Sequence, residues 1–119
     1  MHILLPVPNT HYAVTKKVIR VGKSLSIVLP SKVSTTLNIT SESTFYVYVE
    51  NGKIVYSLSK PRGVKCRRVK ARIQARHGTK EYYVVTLPTE FSLKLGIKEG
   101  SLVLLLLTDK GLVVESLKP

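Results

Sequence analysis

Residues 16–37 read KKVIRVGKSLSIVLPSKVSTTL, and residues 72–95 read RIQARHGTKEYYVVTLPTEFSLKL. Each stretch runs in the same order: basic strand, glycine turn, apolar strand, proline, short helix. In the first, residues 14–20 carry alternating side chains and predict a strand, Gly22 marks a turn, and residues 25–29 are β-branched and apolar, so they predict the returning strand. Pro30 stops that strand. Ser31 is positioned to cap a helix whose apolar face is Val33 and Leu37 at i, i+4, and Asn38 tolerates the left-handed geometry that ends it. The helix is about two turns, too short to persist without tertiary packing.

The second stretch repeats the plan. Pro30, Val33, Leu37 and Ile39 match Pro88, Phe91, Leu95 and Ile97 at a constant offset of 58. Arg20 and Gly22 match Arg76 and Gly78 at an offset of 56, which places a two-residue difference in the first turn. Each helix is followed by a predicted hairpin. Residues 45–49 and 54–58 flank Asn51-Gly52, a pair suited to a type I′ turn. Residues 102–107 and 112–117 flank Asp109-Lys110-Gly111, and the run at 102–107 is apolar on both faces. Thr89 takes the capping place of Ser31, and residues 69–76 and 82–87 are the paired strands. A unit of this size buries too little surface to fold alone, so the two are expected to pack on each other or on their twins in a second chain.

The expected organisation is an apolar, proline-punctuated arm (1–13), a first unit (14–58), a basic join (59–69) and a second unit (70–119). Charge is uneven along it. The chain of 119 residues carries a formal +12, and residues 1–80 hold only Glu42 and Glu50 as acids. Residues 60–80 include nine Lys and Arg and no acid. Such a stretch is read as a strap tracking phosphates, with Arg67 and Arg68 at its centre, against the alternative of a solvated linker. Six tyrosines can stack on bases, but in strands of this kind they more commonly pack across the sheet.

Enzymatic chemistry finds no support. His2, His11 and His77 lack metal-ligand spacing, Gly22-Lys23-Ser24 lacks the upstream glycine of a phosphate loop, and no motif gathers a nucleophile with a base. No cofactor or metal is expected. The single cysteine, Cys66, has no internal disulfide partner, which fits a reducing compartment. No apolar run reaches the length of a membrane-spanning helix, and the beginning does not resemble a signal peptide.

The segment from Val18-Ile19-Arg20-Val21-Gly22-Lys23-Ser24-Leu25 through Ile27-Val28-Leu29-Pro30 to Leu37-Asn38-Ile39 resembles the swapped-hairpin AbrB/MazE/SpoVT family, and Arg76, Gly78, Leu87-Pro88, Leu95-Gly96-Ile97 and Gly100 repeat the resemblance. It implies a mainly β fold with short helices, in which two swapped-hairpin ββαββ units form one pseudo-symmetric, barrel-like domain. It also implies a double-stranded DNA-binding transcriptional regulator, cytoplasmic and nucleoid-associated, paired within one chain or as a homodimer. The alternatives are an antitoxin and a structural RNA-binding protein. Carried over to this chain, the DNA-facing residues are Lys16, Lys17, Arg20, Lys23, Ser24 and Lys32 in the first unit, and Arg72, Arg76, His77 and Lys80 in the second; the join adds Arg67 and Arg68. Arg20 and Arg76 are the residues placed for bidentate base contact if their face enters the major groove. Where regulators of this family often carry an arginine pair in the helix, this chain has Ser34 and Thr35, and then Ser92 and Leu93.

Overall fold

In the computed structural model, residues 10–117 are described. Most of the expected arm lies outside them, and residues 10–13 belong to the first strand. The first unit contains β1 (Thr10–Lys17), β2 (Ile19–Val21), β3 (Ser24–Val28), α1 (Ser31–Thr36), β4 (Thr44–Glu50) and β5 (Lys53–Ser57). The second contains β6 (Arg67–Lys70), β7 (Arg72–His77), β8 (Lys80–Thr86), α2 (Thr89–Leu95), β9 (Leu102–Thr108) and β10 (Gly111–Ser116). The protein is mainly β, as expected.

The strands form a six-stranded sheet in the order β1-β9-β10-β5-β4-β6 and a four-stranded sheet in the order β2-β3-β8-β7. Exchanging each strand for its counterpart in the other unit reverses both orders and leaves them otherwise unchanged. The hydrogen-bond register carries the same relation. Val113 faces Val55 at the centre of one sheet and Ile27 faces Val85 at the centre of the other, both pairs at the offset of 58. Leu29 N–H donates to the Tyr83 carbonyl and Leu87 N–H to the Leu25 carbonyl, each at 2.8 Å. The units pair within the chain. β1, at the head of the first unit, pairs with β9 of the second, and β6, at the head of the second, pairs with β4 of the first.

The expected strands at 14–20 and 69–76 are each two strands. The chain leaves the large sheet at Val18 and again at Ala71, both about 1% exposed, and enters the small one. Val18 exchanges backbone hydrogen bonds with the next turn of the other unit (N–H to Ser101 carbonyl and carbonyl from Gly100 N–H, both 2.8 Å), while Ala71 N–H reaches the Ser43 carbonyl at 3.1 Å. Because the crossing residues are small and apolar, alternation runs through the break and hides it.

The helix starts also differ from expectation. Pro30 and Pro88 occupy the cap positions with no side-chain cap; Ser31 and Thr89 are the first helical residues. A proline at this boundary lacks only an N–H that the helix does not use. The helix ends match the expectation. Asn38 (φ 54°) and Gly96 (φ 70°) are left-handed, and the N–H groups of Ile39 and Ile97 reach back to the Ser34 and Ser92 carbonyls at 2.9 Å. This closure drives both isoleucines into the core.

The two-residue difference between repeats does not sit in the turn. Both turns have two residues, Gly22-Lys23 and Gly78-Thr79, with the glycines at φ 61° and 66°. The β2–β3 hairpin has pairs from Ile19↔Ser26 to Val21↔Ser24. The β7–β8 hairpin runs from Arg72↔Val84 to His77↔Lys80 and carries an irregularity at Gln74. Ile19↔Ser26 and Arg72↔Val84 are equivalent rungs counted from the core, so the second hairpin projects further.

The core lies between the sheets, with Phe45, Tyr56, Ile27, Leu29, Leu87, Leu105 and Leu112 essentially inaccessible. Tyr56 hydroxyl donates to the Thr86 carbonyl at 2.7 Å and ties β5 to β8. On the opposite face of the large sheet, Leu106, Val113, Val55 and Tyr48 form a cross-strand row, which accounts for the two-faced apolar run in β9.

Candidate nucleic-acid interface

Every one of the seven acidic residues is ion-paired within the chain. Arg20 Nε meets Glu99 at 3.0 Å, Arg76 Nε meets Glu81 at 2.9 Å, and Arg67 pairs with Glu90. Lys53, Lys70 and Lys110 take Glu115, Glu42 and Glu50, and His11 takes Asp109. These pairs are exposed and individually weak. Their collective effect on the surface is larger, since no carboxylate among the described residues is left over to offset the remaining lysines and arginines.

The sequence-derived residues therefore divide. Arg20, Arg67 and Arg76 each give one guanidinium nitrogen to a carboxylate, and Arg20 also donates to the Lys23 carbonyl at 3.3 Å. Lys16, Lys17, Lys23, Lys32, Arg68, Arg72 and Lys80 have no carboxylate partner among the described residues. All but the half-buried Lys16 are exposed. Lys16 and Lys17 lie on β1 and Arg68 on β6, the two edges of the large sheet. Ser24 is half-buried beside the first turn, and Lys32 lies in α1.

Cross-strand partners share a sheet face, and side chains alternate along a strand. Arg20 is paired with Leu25, and Arg76 with Glu81, in the phase that also holds Ile27, Tyr83 and Val85 of the core. Arg72, His77 and Lys80 fall in the other phase, with Ser24 and Ser26. The two arginines singled out for base contact thus lie on the opposite side of the small sheet from the second hairpin's other basic residues. The face splits because Arg20 and Arg76 sit one strand step from the outward positions.

The second hairpin's tip is locally ordered. His77 meets the Tyr82 ring edge-on at 5.4 Å, and Lys80 Nζ lies 5.4 Å from the same ring centroid. Glu81 accepts from the Tyr83 hydroxyl at 2.7 Å as well as from Arg76. The hydroxyl bond, then the arginine, hold its carboxyl below the ordinary range, and the same bond raises Tyr83. Between this hairpin and α1 runs an open groove of about 400 Å³. It is lined by Ser31, Ser34, Thr35, Asn38, Ile39 and Thr40 on one side and by Thr79, Lys80, Tyr83 and the already paired Glu81 on the other.

The glutamates that occupy the arginines were the feature sequence reasoning missed. One was legible: Arg76 and Glu81 sit symmetrically about a two-residue turn and must face each other. Glu99 reaches Arg20 only through the crossing of the units, and Glu90 reaches Arg67 within the second unit, from α2 to β6, across a separation of 23 residues. Among the described residues no group of His, Cys, Asp and Glu is arranged to hold a metal ion, and no helix is long and apolar enough to cross a membrane. Comparison with family models, curated proteins and solved structures finds no match.

Proposed function

We propose that this chain is a double-stranded DNA-binding protein, a transcriptional regulator of the swapped-hairpin AbrB/MazE/SpoVT kind with both units in one polypeptide, acting at the nucleoid in the cytoplasm. The observation that carries the reading is the complete internal pairing of the acidic residues. It leaves Lys16, Lys17, Lys23, Arg68, Arg72 and Lys80 as uncompensated charge on sheet edges and hairpin tips. Charges of this kind bind phosphates by releasing condensed counterions. The pairing of β1 with β9 and of β6 with β4 supports the family reading, because each unit lends a strand to the C-terminal hairpin of the other.

In this reading Arg20, Arg67 and Arg76 have a structural share: each ties a basic strand to an acidic loop, helix or strand. Contact with the duplex falls to the unpaired lysines, to Arg68 and Arg72, and to backbone N–H groups at the glycine turns, which position without reading sequence. The test is competition. A labelled duplex of about 25 base pairs is titrated with protein near 100 mM salt, then challenged with unlabelled duplex DNA, single-stranded DNA and double-stranded RNA. Duplex DNA is expected to compete best; preferential displacement by RNA would move the protein to an RNA-binding role.

A further inference from the structure

The two hairpins of the small sheet are unequal, and their placement can be worked out from the register. β3 and β8 run antiparallel about the Ile27↔Val85 pair, so the hairpin tips point to opposite ends of the sheet. Lys23 lies four residues from Ile27, and Thr79 lies six residues from Val85. At about 3.3 Å per residue the tips stand about 33 Å apart along the strands. One turn of B-DNA advances about 34–36 Å. A two-fold relation normal to the sheet leaves the outer faces of both hairpins on the same side.

The tips differ in what they carry. The β2–β3 tip ends after Val21↔Ser24 and presents Lys23, with Arg20 held back by Glu99. The β7–β8 hairpin has further rungs at Arg76↔Glu81 and His77↔Lys80, and its outward phase holds Arg72, His77 and Lys80 around Tyr82. A two-stranded ribbon fits the major groove of about 12 Å and not the minor groove of about 6 Å.

We infer that the β7–β8 hairpin enters the major groove while the β2–β3 tip rests on the backbone one helical turn away, so that a single chain binds duplex DNA with a built-in polarity. This rests on the DNA-binding reading above and adds an unequal division of labour between the repeats. A homodimer of one unit would lack it.

The experiment uses the full chain and fluorescence anisotropy. On a 25-base-pair duplex, Arg72→Ala and Lys80→Ala are each expected to weaken binding about tenfold, and Lys23→Ala about twofold. On an 8-base-pair duplex, too short to reach both tips, Lys23→Ala is expected to bind as the parent does while Arg72→Ala and Lys80→Ala still lose affinity. A duplex whose pyrimidines carry bulky 5-substituents, which fill the major groove, is expected to bind the parent at least tenfold more weakly. Equal losses at Lys23 and Lys80, or indifference to the major-groove substituents, would overturn the inference while leaving DNA binding intact. No duplex binding by the parent would overturn both.

Discussion

Gly111→Ala tests the packing of the hairpin that closes the second unit. Gly111 opens β10 directly after the Asp109-Lys110 turn, at φ 119°, and is buried. A Cβ built there would lie 2.4 Å from the Tyr56 carbonyl oxygen and 3.3 Å from the Ser57 Cα. That carbonyl belongs to a strand locked by the Leu112↔Tyr56 pairing and by a Tyr56 side chain with no exposure, so the overlap cannot be relieved by rotating a side chain. The disfavoured φ costs about 1–3 kcal/mol. Forcing apart paired backbone costs about the same again, giving about 2–6 kcal/mol together. That is a large part of the roughly 5–15 kcal/mol that holds a domain folded. Gly78→Ala is the control: its φ is 66° but no atom lies within 4 Å of the new Cβ, so only the conformational cost of about 1–2 kcal/mol remains. Urea unfolding should show a much lower midpoint for Gly111→Ala than for Gly78→Ala, at similar slope. Equal losses in the two variants would refute the close approach of β10 to β5. Lys53 stands at the equivalent place in the first unit, where a full side chain is accommodated and pairs with Glu115, so the glycine requirement belongs to the second unit alone.

Tyr56→Phe should cost about 1–2 kcal/mol in the same assay, since it removes the hydroxyl that joins the two sheets and leaves the Thr86 carbonyl without that donor. Glu81 has a lowered carboxyl pKa, so its contribution is present above the ordinary carboxylate range of about 4 and is lost as pH falls through the depressed value. The stability gap between the parent and Glu81→Gln should therefore narrow in acid, and a gap that widens there would contradict the pairing. Asn38→Gly should stabilise by up to about 1 kcal/mol, because Asn38 pays the left-handed cost that Gly96 avoids in the second unit. Sedimentation equilibrium in dilute solution should return the single-chain mass of 13.3 kDa, and an obligate dimer would show that the units pair between chains.

Much of the fold was readable because the duplication supplies the same signals twice. Pro30 and Pro88, the helix pairs ending at Leu37 and Leu95, and the Asn51-Gly52 turn each mark an element that the structure contains. The sheet exchange at Val18 and Ala71 was not readable, since a strand that changes partners keeps its alternation. Ser31 and Thr89 look like caps because of their chemistry, but the preceding prolines take the cap positions. The unequal hairpins follow from an offset of 56 against 58, and only pairing register could place the extra residues in the arms. The candidate interface was legible as a charge excess but not as a map. Which arginines are paired depends on Glu99, brought to Arg20 by the crossed units, and on Glu90, brought to Arg67 by the folding of the second unit.

The most direct test of DNA binding is the salt dependence of duplex affinity. The dissociation constant of the parent chain for a 25-base-pair duplex is measured by anisotropy from about 50 to 300 mM salt. The expected result is a linear fall of log affinity with log salt, with a slope of about −0.9 for each phosphate engaged and several phosphates in all. Lys23→Ala, Arg72→Ala and Lys80→Ala should each make the slope shallower by about one. No measurable binding at low salt, or an affinity that salt leaves unchanged, would contradict a phosphate-binding role for the unpaired cations.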